Sequence, residues 1–461
     1  MGMLRWGVDS LQNPDELIPV LRMIDADKFG KIKPKDEDRG FCYEILNLVS
    51  RSFAIVIQQL PAQLRDPVCI FYLVLRALDT VEDDMKIAAT TKIPLLRDFY
   101  EKISDRSFRM TAGDQKDYIR LLDQYPKVTS VFLKLTPREQ ERIADITMRM
   151  GNGMADFVHK GVPDTVGDYD LYCHYVAGVV GLGLSQLFVA SGLQSPSLTR
   201  SEDLSNHMGL FLQKTNIIRD YFEDINELPA PRMFWPRENW GKYANNLAEF
   251  KDPANKAAAM CCLNEMVTDA LRHAVYCLQY MSMIEDPQIF NCCAIPQTMA
   301  FGTLSLCYNN YTIFTGPKAA VKLRRGTTAK LMYTSNNMFA MYRHFLNFAE
   351  KLEVRCNTET SEDPSVTTTL EHLHKIKAAC KAGLARTKDD TFDELRSRLL
   401  ALTGGSFYVA WTYNFLDLRG PGDLPTFLSV TQHWWSILIF LISIAVFFIP
   451  SRPSPRPTLS A

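Results

Sequence analysis

The chain of 461 residues is 47% apolar, which is ample for one large domain or for two or three smaller ones. Its net charge of −1 excludes the basic balance typical of nucleic-acid-binding domains. The eleven cysteines have no C-x-x-C or Cys/His zinc spacing and lie mostly in apolar runs, so we expect reduced core thiols in a protein that faces the cytosol.

The N-terminal part begins with a polar extension over residues 1–37, which has no signal-peptide pattern. Over residues 38–60 apolar side chains recur at helical spacing around Ser50-Arg51-Ser52. An arginine within a largely apolar helix usually pairs with an anion or extends to solvent. Pro67 is expected in the first turn of the next helix, which runs to about Asp84.

That helix ends on an acidic cluster, Asp79-Thr80-Val81-Glu82-Asp83-Asp84. The residues before it are hydrophobic on nearly every side of a helix, so the end of the helix should be buried. Residues four positions apart lie on one helix face about 6 Å apart, so Asp79 and Asp83 project together. Buried carboxylates are costly unless cations compensate them, which indicates a metal site.

The middle of the chain continues the helical pattern. Thr136 is a candidate N-cap for a helix that runs to Lys160. Glycines 178, 181 and 183 in the apolar run at 176–185 predict close helix packing or a break in the helix. This run lacks both the complete G-x-G-x-x-G pattern and a preceding strand, which excludes a Rossmann dinucleotide site.

A second acidic motif, Asp220-Tyr221-Phe222-Glu223-Asp224, ends a helix predicted over residues 203–225 and repeats the D-x-x-E-D spacing. An arginine precedes each copy, Arg76 and Arg219. Two such faces turned toward each other would form a cage of carboxylate oxygens suited to Mg²⁺. Mg²⁺ leaves room for phosphate oxygens, so the favoured substrate is a diphosphate in an apolar pocket.

Ionisation of such a diphosphate leaves an allylic cation, while Mg²⁺ and arginine neutralise the leaving group. An aromatic lining stabilises a cation without trapping it. The candidates for this lining are Phe53, Phe71, Tyr72, Tyr172, Tyr175 and Phe188. Because the period near 3.6 persists and strand-like alternation is scarce, we predict an all-α fold around the two acidic helices.

The C-terminal part changes in composition. Residues 357–369 are polar and contain proline, which predicts a disordered linker or mobile loop, and Gly420-Pro421-Gly422 is a hinge. Residues 434–449 carry no charge and would span about 24 Å as a helix, and residues 427–430 extend it toward the roughly 30 Å of a bilayer core. With Trp434-Trp435 at the interface, this predicts a C-terminal membrane anchor; a buried terminal core helix is the alternative.

Four blocks of the chain resemble the signature blocks of squalene synthases: Ser50-Arg51-Ser52-Phe53, Leu75-Arg76-Ala77-Leu78-Asp79-Thr80-Val81-Glu82-Asp83-Asp84, Tyr172-Cys173-His174-Tyr175-Val176-Ala177-Gly178, and Gln213-Lys214-Thr215-Asn216-Ile217-Ile218-Arg219-Asp220. The resemblance spans roughly residues 38–345. It implies an isoprenoid-synthase helical bundle around a central cavity. It also implies that two farnesyl diphosphates condense head to head to presqualene diphosphate, which NADPH then reduces to squalene.

The resemblance also implies roles for individual residues. The Mg²⁺ and diphosphate ligands would be Asp79, Glu82, Asp83, Asp220, Glu223 and Asp224, and Tyr172 would assist the first step by proton transfer or cation stabilisation. Substrate would contact Ser50, Arg51, Phe53, Tyr72, Arg76, Gln213, Asn216 and Arg219. The phosphates of NADPH would meet Arg51, Arg76, Arg219, Lys322 and Arg324; for the last two, ordinary surface charge is the alternative and has almost as much support from the sequence.

The domain boundaries that follow are an extension at 1–37, a catalytic domain at 38–355, a linker with peripheral helices at 356–425, a membrane anchor at 426–450 and a Pro-rich tail at 451–461. The resemblance further implies a monomer that is anchored in the endoplasmic reticulum membrane by its tail, with the catalytic domain in the cytosol.

One position departs from the family pattern. An aromatic residue is expected before Cys-Ala-Ile-Pro-Gln, but Cys292 precedes Cys293-Ala294-Ile295-Pro296-Gln297 here. If that aromatic shields the second cation, the second half-reaction should be weakened. Two alternatives therefore stay open: a head-to-head synthase that stops at presqualene diphosphate or makes a phytoene-type product without reductant, and a membrane-tethered helical scaffold whose acidic motifs are degenerate.

Overall fold

Helices make up the regular structure of the part of the chain that this computed structural model describes, and no strand occurs in it. That part comprises residues 13, 16, 19–20, 32, 34–50, 52–228, 230–317, 321–358 and 363–387. The prediction of an all-α fold is therefore confirmed. Most of the N-terminal extension, Arg51, and the anchor and tail predicted at 426–461 lie outside the described residues.

The α-helices, numbered in chain order, have the following bounds: α1 Glu37–Ser50, α2 Ser52–Gln58, α3 Ala62–Asp83, α4 Ala89–Lys102, α5 Lys116–Asp123, α6 Tyr125–Phe132, α7 Pro137–Lys160, α8 Val166–Cys173, α9 Val179–Ala190, α10 Glu202–Arg219, α11 Tyr221–Ile225, α12 Arg237–Trp240, α13 Lys256–Leu271, α14 Ala274–Met281, α15 Pro287–Cys307, α16 Thr312–Thr315, α17 Arg325–Thr334, α18 Met338–Thr358 and α19 Val366–Arg386. A π-helical turn, His174–Gly178, joins α8 to α9. Thr136 caps α7 as predicted, since its side chain accepts a hydrogen bond from the Glu139 N–H.

Helix α3 carries the first acidic motif through the centre of the fold. It packs against α1, α6, α7 and α9, which explains why it is apolar on nearly every side. The predicted start near Pro67 is wrong, because the helix begins at Ala62 and Pro67 lies inside it. Pro67 lacks an N–H, so its ring costs the helix one backbone hydrogen bond in the second turn, which the surrounding packing offsets.

The run from α8 to α9 lies directly against α10. A Cβ on Gly181 would be 2.4 Å from the carbonyl oxygen of Ser205, and one on Gly209 would be 2.3 Å from that of Ala177. Only glycine allows the two backbones to approach this closely, so the prediction of close packing is confirmed. By length and composition the helical run Val166–Ala190 could also cross a membrane, and 44% of its most apolar window is buried inside the protein.

The second acidic motif interrupts its helix. The single helix predicted over 203–225 is wrong, because α10 ends at Arg219 and the short helix α11 begins at Tyr221. The N–H of Asp224 still donates to the carbonyl oxygen of Asp220 at 3.0 Å, so the backbone between them keeps one helical turn. The two aspartates therefore retain the spacing on which the predicted metal face depends.

Asp363, Ser365 and Thr369 are buried in the core, so the segment at 363–369 is not a mobile linker. The chain forms one compact unit over Met1–Lys381; a second unit, Ala382–Ala461, is described only as far as residue 387. Asp363 is buried and accepts hydrogen bonds from Asn264 Nδ2 at 2.8 Å and from Tyr308 Oη at 3.0 Å. Thr369 is fully buried and bonds to Thr268 at 2.6 Å. The prediction of disorder is wrong here because buried partners satisfy the polar side chains.

Candidate active site

A cavity of about 250 Å³ opens between five helical segments. One face of α3 lines it from Val68 to Asp79, a length of about 16 Å at the rise of an α-helix. The remaining lining comes from α2, from the run around α9, and from α10 and α15, with single residues of α7 and α14. The apolar and aromatic residues that line it include Phe53, Ile57, Phe71, Tyr72, Leu75, Val180, Leu184, Phe188, Met208 and Leu212.

The charged residues of the lining, together with two side-chain amides, gather at one end of this cavity. Arg76 and Asp79 stand on the last turns of α3, and Gln213 and Asn216 stand on the last turns of α10. Both acidic motifs follow directly after these residues in the chain. The structure thus brings the predicted substrate residues Phe53, Tyr72, Arg76, Gln213 and Asn216 to a single cavity.

Arginines hold the first aspartate of each motif. The guanidinium of Arg76 lies 3.3 Å from Asp79, donates to Tyr72 Oη at 3.3 Å and stacks over the Tyr72 ring. Arg219 forms two hydrogen bonds to the Asp220 carboxylate, at 2.6 and 2.8 Å. Arg76 lines the acidic end of the cavity, and Arg219 ends α10 three positions after the lining residue Asn216, so both could bind a phosphate there.

Arg232 connects the two acidic motifs, although it lies outside both of them. Its backbone N–H donates to the Asp224 carbonyl oxygen at 2.9 Å. Its guanidinium contacts Asp83 and lies 3.6 Å from Glu82 Oε2. A charged residue only eight positions after the second motif was the sequence signal that could have identified it.

Tyr172 does not line the cavity, but it is buried close to carboxylates of both motifs. Its ring stacks on Phe234 with centroids 4.5 Å apart, and Phe157 meets it edge-on at 5.2 Å. Burial raises the pKa of the Tyr172 hydroxyl well above its ordinary value of 10, and the carboxylates of Glu82, Asp79 and Asp224 raise it further. Carboxylates of both motifs therefore act on one hydroxyl, which stays protonated and can donate a hydrogen bond.

Burial also raises the pKa values of two carboxyl groups in the first motif, Asp79 and Glu82. It raises the pKa of Asp79 to about 6; Arg76 and Arg232 oppose this shift, whereas the neighbouring Glu82 adds to it. Burial likewise raises the pKa of Glu82, against the opposing charges of Arg232 and Lys92. The buried Lys92 donates to the backbone oxygen of Glu82 at 2.6 Å and thereby fixes the end of α3.

The donor set at this end fits Mg²⁺. All six acidic side chains of the two motifs offer hard oxygen ligands, which suits this ion. Within the described ranges no three Asp, Glu, His or Cys side chains form a ready-made metal cluster. Mg²⁺ usually takes only one or two carboxylates and completes its shell with phosphate and water, so a preformed cluster is not required.

The deeper wall of the cavity carries fixed hydrogen-bond acceptors. Ser185 Oγ donates to the Gly181 carbonyl at 2.8 Å, so it accepts from Tyr280 Oη at 2.7 Å. Gln297 Nε2 donates to the Met208 carbonyl at 2.9 Å, which leaves the buried Gln297 Oε1 without a hydrogen-bond partner. Tyr280 and Gln297 both line the cavity.

Several predicted site residues lie elsewhere or are not described. Ser50 ends α1 with a buried, unpartnered hydroxyl oxygen, and the adjacent Arg51 is outside the described residues. Tyr175 packs against Gly153 of α7 rather than lining the cavity. Lys322 and Arg324 are exposed and do not line it either; Arg324 bonds to Glu16 at 2.7 Å.

Comparison with known proteins identifies the family. A family model described as squalene/phytoene synthase matches residues 46–326, more than half of the chain. The chain belongs to the squalene/phytoene synthase family. This confirms the resemblance that the four sequence blocks indicated.

Individual relatives are similar over nearly the whole chain. Squalene synthase BSS from Botryococcus braunii is 98% identical over 461 residues, which cover all of both chains. Squalene synthase LSS from the same organism is 56% identical over 442 residues, covering 93% of this chain and 94% of the relative. The solved structure of TcSQS in complex with the ligand E5700 is 45% identical, with a TM-score of 0.72, and covers 76% of this chain and 100% of TcSQS.

Proposed function

We propose that the chain is a squalene synthase, which condenses two farnesyl diphosphates head to head to presqualene diphosphate and reduces this intermediate to squalene with NADPH. The observation that carries the proposal is the apolar cavity that Arg76 and Asp79 line at one end, next to a protonated Tyr172 on which carboxylates of both D-x-x-E-D motifs act. The near-identity to a protein named squalene synthase supports it.

Each part of this end has a task in the first step. Asp79, Glu82, Asp83, Asp220, Glu223 and Asp224 would hold Mg²⁺, which neutralises the charge that develops on the departing diphosphate. Arg76 and Arg219 offer further donors for phosphate oxygens. The Tyr172 hydroxyl donates its hydrogen bond toward the leaving group or stabilises the cation through its ring. The apolar lining excludes water from the cation.

The reductant is assigned to basic residues near the cavity. Arg76 and Arg219, with Arg51, would meet phosphates of NADPH at the polar end, and Lys322 and Arg324 would meet them outside the cavity. The exposure of the last two supports an encounter with a soluble cofactor. The chain would act as a monomer, which sedimentation of the purified protein tests: a mass near twice 52.5 kDa contradicts it.

Product analysis from radiolabelled farnesyl diphosphate tests the function. With Mg²⁺ and NADPH we expect squalene, and without NADPH we expect presqualene diphosphate. Presqualene diphosphate as the end product in both assays would identify a synthase that lacks the reductive step, and a phytoene-type hydrocarbon without NADPH would identify the other enzyme alternative. No release of diphosphate under any condition would favour the scaffold.

We further propose that residues 426–450 anchor the chain in the endoplasmic reticulum membrane with the catalytic domain in the cytosol. Support comes from the uncharged stretch at 434–449 and the tryptophan pair at its start. Deletion of all residues after Gly420 should release the protein into the soluble fraction. A truncated protein that still pellets with membranes would show that this segment is not the sole anchor.

A further inference from the structure

We propose that Arg232 is an internal counter-ion that competes with Mg²⁺ for the first acidic motif, so that the metal binds tightly only when a diphosphate is present to receive the displaced guanidinium. The proposal rests on the proposed Mg²⁺-dependent diphosphate chemistry and assigns a positioning role to a residue outside both motifs. It is carried by the contacts of Arg232 with Glu82, Asp83 and Asp224.

The competition arises because the guanidinium occupies the oxygens that a metal would need. Arg232 contacts the Asp83 carboxylate directly and reaches Glu82 at 3.6 Å. An arginine side chain stays charged in proteins, so it cannot leave this site by losing a proton. A divalent cation that binds the same carboxylates must therefore displace the guanidinium or bear its repulsion at short range.

The backbone of Arg232 is fixed, whereas its side chain is partly exposed to solvent. The Arg232 N–H is held by the Asp224 carbonyl oxygen, which anchors the residue to the second motif. The side chain is 27% exposed, and in the position where it contacts Asp83 its guanidinium also lies 5.5 Å from the centre of the Phe234 ring. From this position the side chain can turn toward an anion at the mouth of the cavity.

Arg76 shows the contrasting case of a fixed counter-ion. The Tyr72 hydroxyl holds one of its nitrogens, and the rings of Tyr72 and Tyr118 flank it at 5.7 and 5.8 Å. Its contact with Asp79 lies within a single helix, at i and i+3, so the pair moves as one unit. Arg232 instead contacts the first motif from a different segment of the chain. Its side chain bonds to the first motif while its backbone bonds to the second, so a change at either motif can affect it.

The decisive measurement is metal binding to the full-length protein without substrate, with MnCl₂ as the probe and the free ion followed by electron paramagnetic resonance. Arg232→Met removes the competitor and should tighten Mn²⁺ binding about fivefold, the size expected for a partly exposed ion pair. The same variant should bind inorganic pyrophosphate about tenfold more weakly at saturating Mg²⁺, because the guanidinium no longer receives the anion. Arg232→Gln repeats the test if the Met variant does not fold.

Arg237→Met is the matched control, since it removes the same charge from a nearby exposed residue whose guanidinium stacks on Trp240. It should leave both affinities at the wild-type values. If the Arg232 variants bind Mn²⁺ no more tightly than wild type while the wild-type enzyme releases diphosphate normally, the counter-ion role is wrong and the proposed function stands. If the wild-type protein neither binds Mn²⁺ nor consumes farnesyl diphosphate, both proposals are wrong.

Discussion

Phe234 stacks on Tyr172 with its ring plane only 14° from parallel and the ring centroids 4.5 Å apart. The stack holds the Tyr172 hydroxyl in a field of carboxylates from both acidic motifs. Tyr172→Phe keeps both rings but removes the hydroxyl. We expect at least a hundredfold lower rate of presqualene diphosphate formation, the loss typical of a removed proton donor, with an unchanged melting temperature.

The control for this prediction is Phe234→Leu, which keeps the hydroxyl and removes the stack. It should lower the rate less than Tyr172→Phe does, because the hydroxyl is still present but less firmly placed. Because the pKa of Tyr172 is raised well above its usual range, the wild-type rate should show no loss from tyrosine ionisation up to about pH 10. Equal activity of Tyr172→Phe and wild type would exclude a role for the hydroxyl.

The first acidic motif should be essential for metal-dependent chemistry. Replacing Asp79 and Asp83 together by Asn preserves side-chain volume but removes two anionic oxygen ligands. We expect Mg²⁺-dependent release of diphosphate from farnesyl diphosphate to be abolished, as measured by a coupled pyrophosphate assay. Asp156→Asn is a suitable control, since Asp156 pairs with Arg97 on the surface. Retained activity in the double variant would overturn the metal assignment.

Metal binding should also depend on pH through Asp79. Burial raises the pKa of this carboxyl from 3.8 to about 6. Between these two pH values Asp79 is therefore protonated in the folded protein but ionised in the unfolded chain. The contribution of Asp79 to stability therefore falls as pH rises toward about 6, and it is lowest when the group is charged without a metal. Mn²⁺ affinity should rise over the same range. Asp79→Asn should flatten both trends, and an unchanged pH profile in this variant would contradict the prediction.

The departure at Cys292 predicts a weakened second half-reaction. Cys292 lines the cavity, and burial raises the pKa of its thiol to about 12, so it stays a neutral thiol that offers no aromatic face to a cation. In an assay supplied with NADPH, wild type should accumulate presqualene diphosphate, and Cys292→Phe should reduce this accumulation severalfold. Cys292→Ser is the control, since it changes polarity without adding a ring. A normal squalene yield without build-up in wild type would count against the prediction.

A buried ion cluster next to the site should contribute strongly to stability. Lys214 on α10 is fully buried and bonds to Asp170 and Asp269, and Arg272 bonds to the same two carboxylates. Lys214→Met leaves these carboxylates with one cation fewer, which should cost about 3–5 kcal/mol of unfolding free energy. Arg97→Met removes an exposed pair and should cost less than about 1 kcal/mol. Similar losses in the two variants, measured by urea denaturation, would contradict this reasoning.

The sequence predicted the parts of the site that follow from local repetition. The two D-x-x-E-D motifs, the arginines before them and the glycines of the packed helices could all be read from spacing, because helical periodicity relates neighbours along the chain. Arg232 could not be predicted in this way, since its contact with Asp83 joins segments far apart in sequence. The prediction of disorder at residues 363–369 failed for a related reason. Composition shows that the segment is polar, but it does not show that Asn264 and Tyr308 are brought to Asp363 as buried hydrogen-bond partners.

The acceptors in the deeper wall have a consequence for a substrate rich in double bonds. The Tyr280 hydroxyl donates its proton in a hydrogen bond to Ser185 Oγ, and the Ser185 hydroxyl donates to the Gly181 carbonyl oxygen. Gln297 presents only its oxygen, and the raised pKa values of the Cys292 and Cys293 thiols keep their protons bound. A polyene lying against these residues therefore meets lone pairs but no readily released proton. The wall therefore supplies no acid that could start cyclisation or hydration of the remaining double bonds.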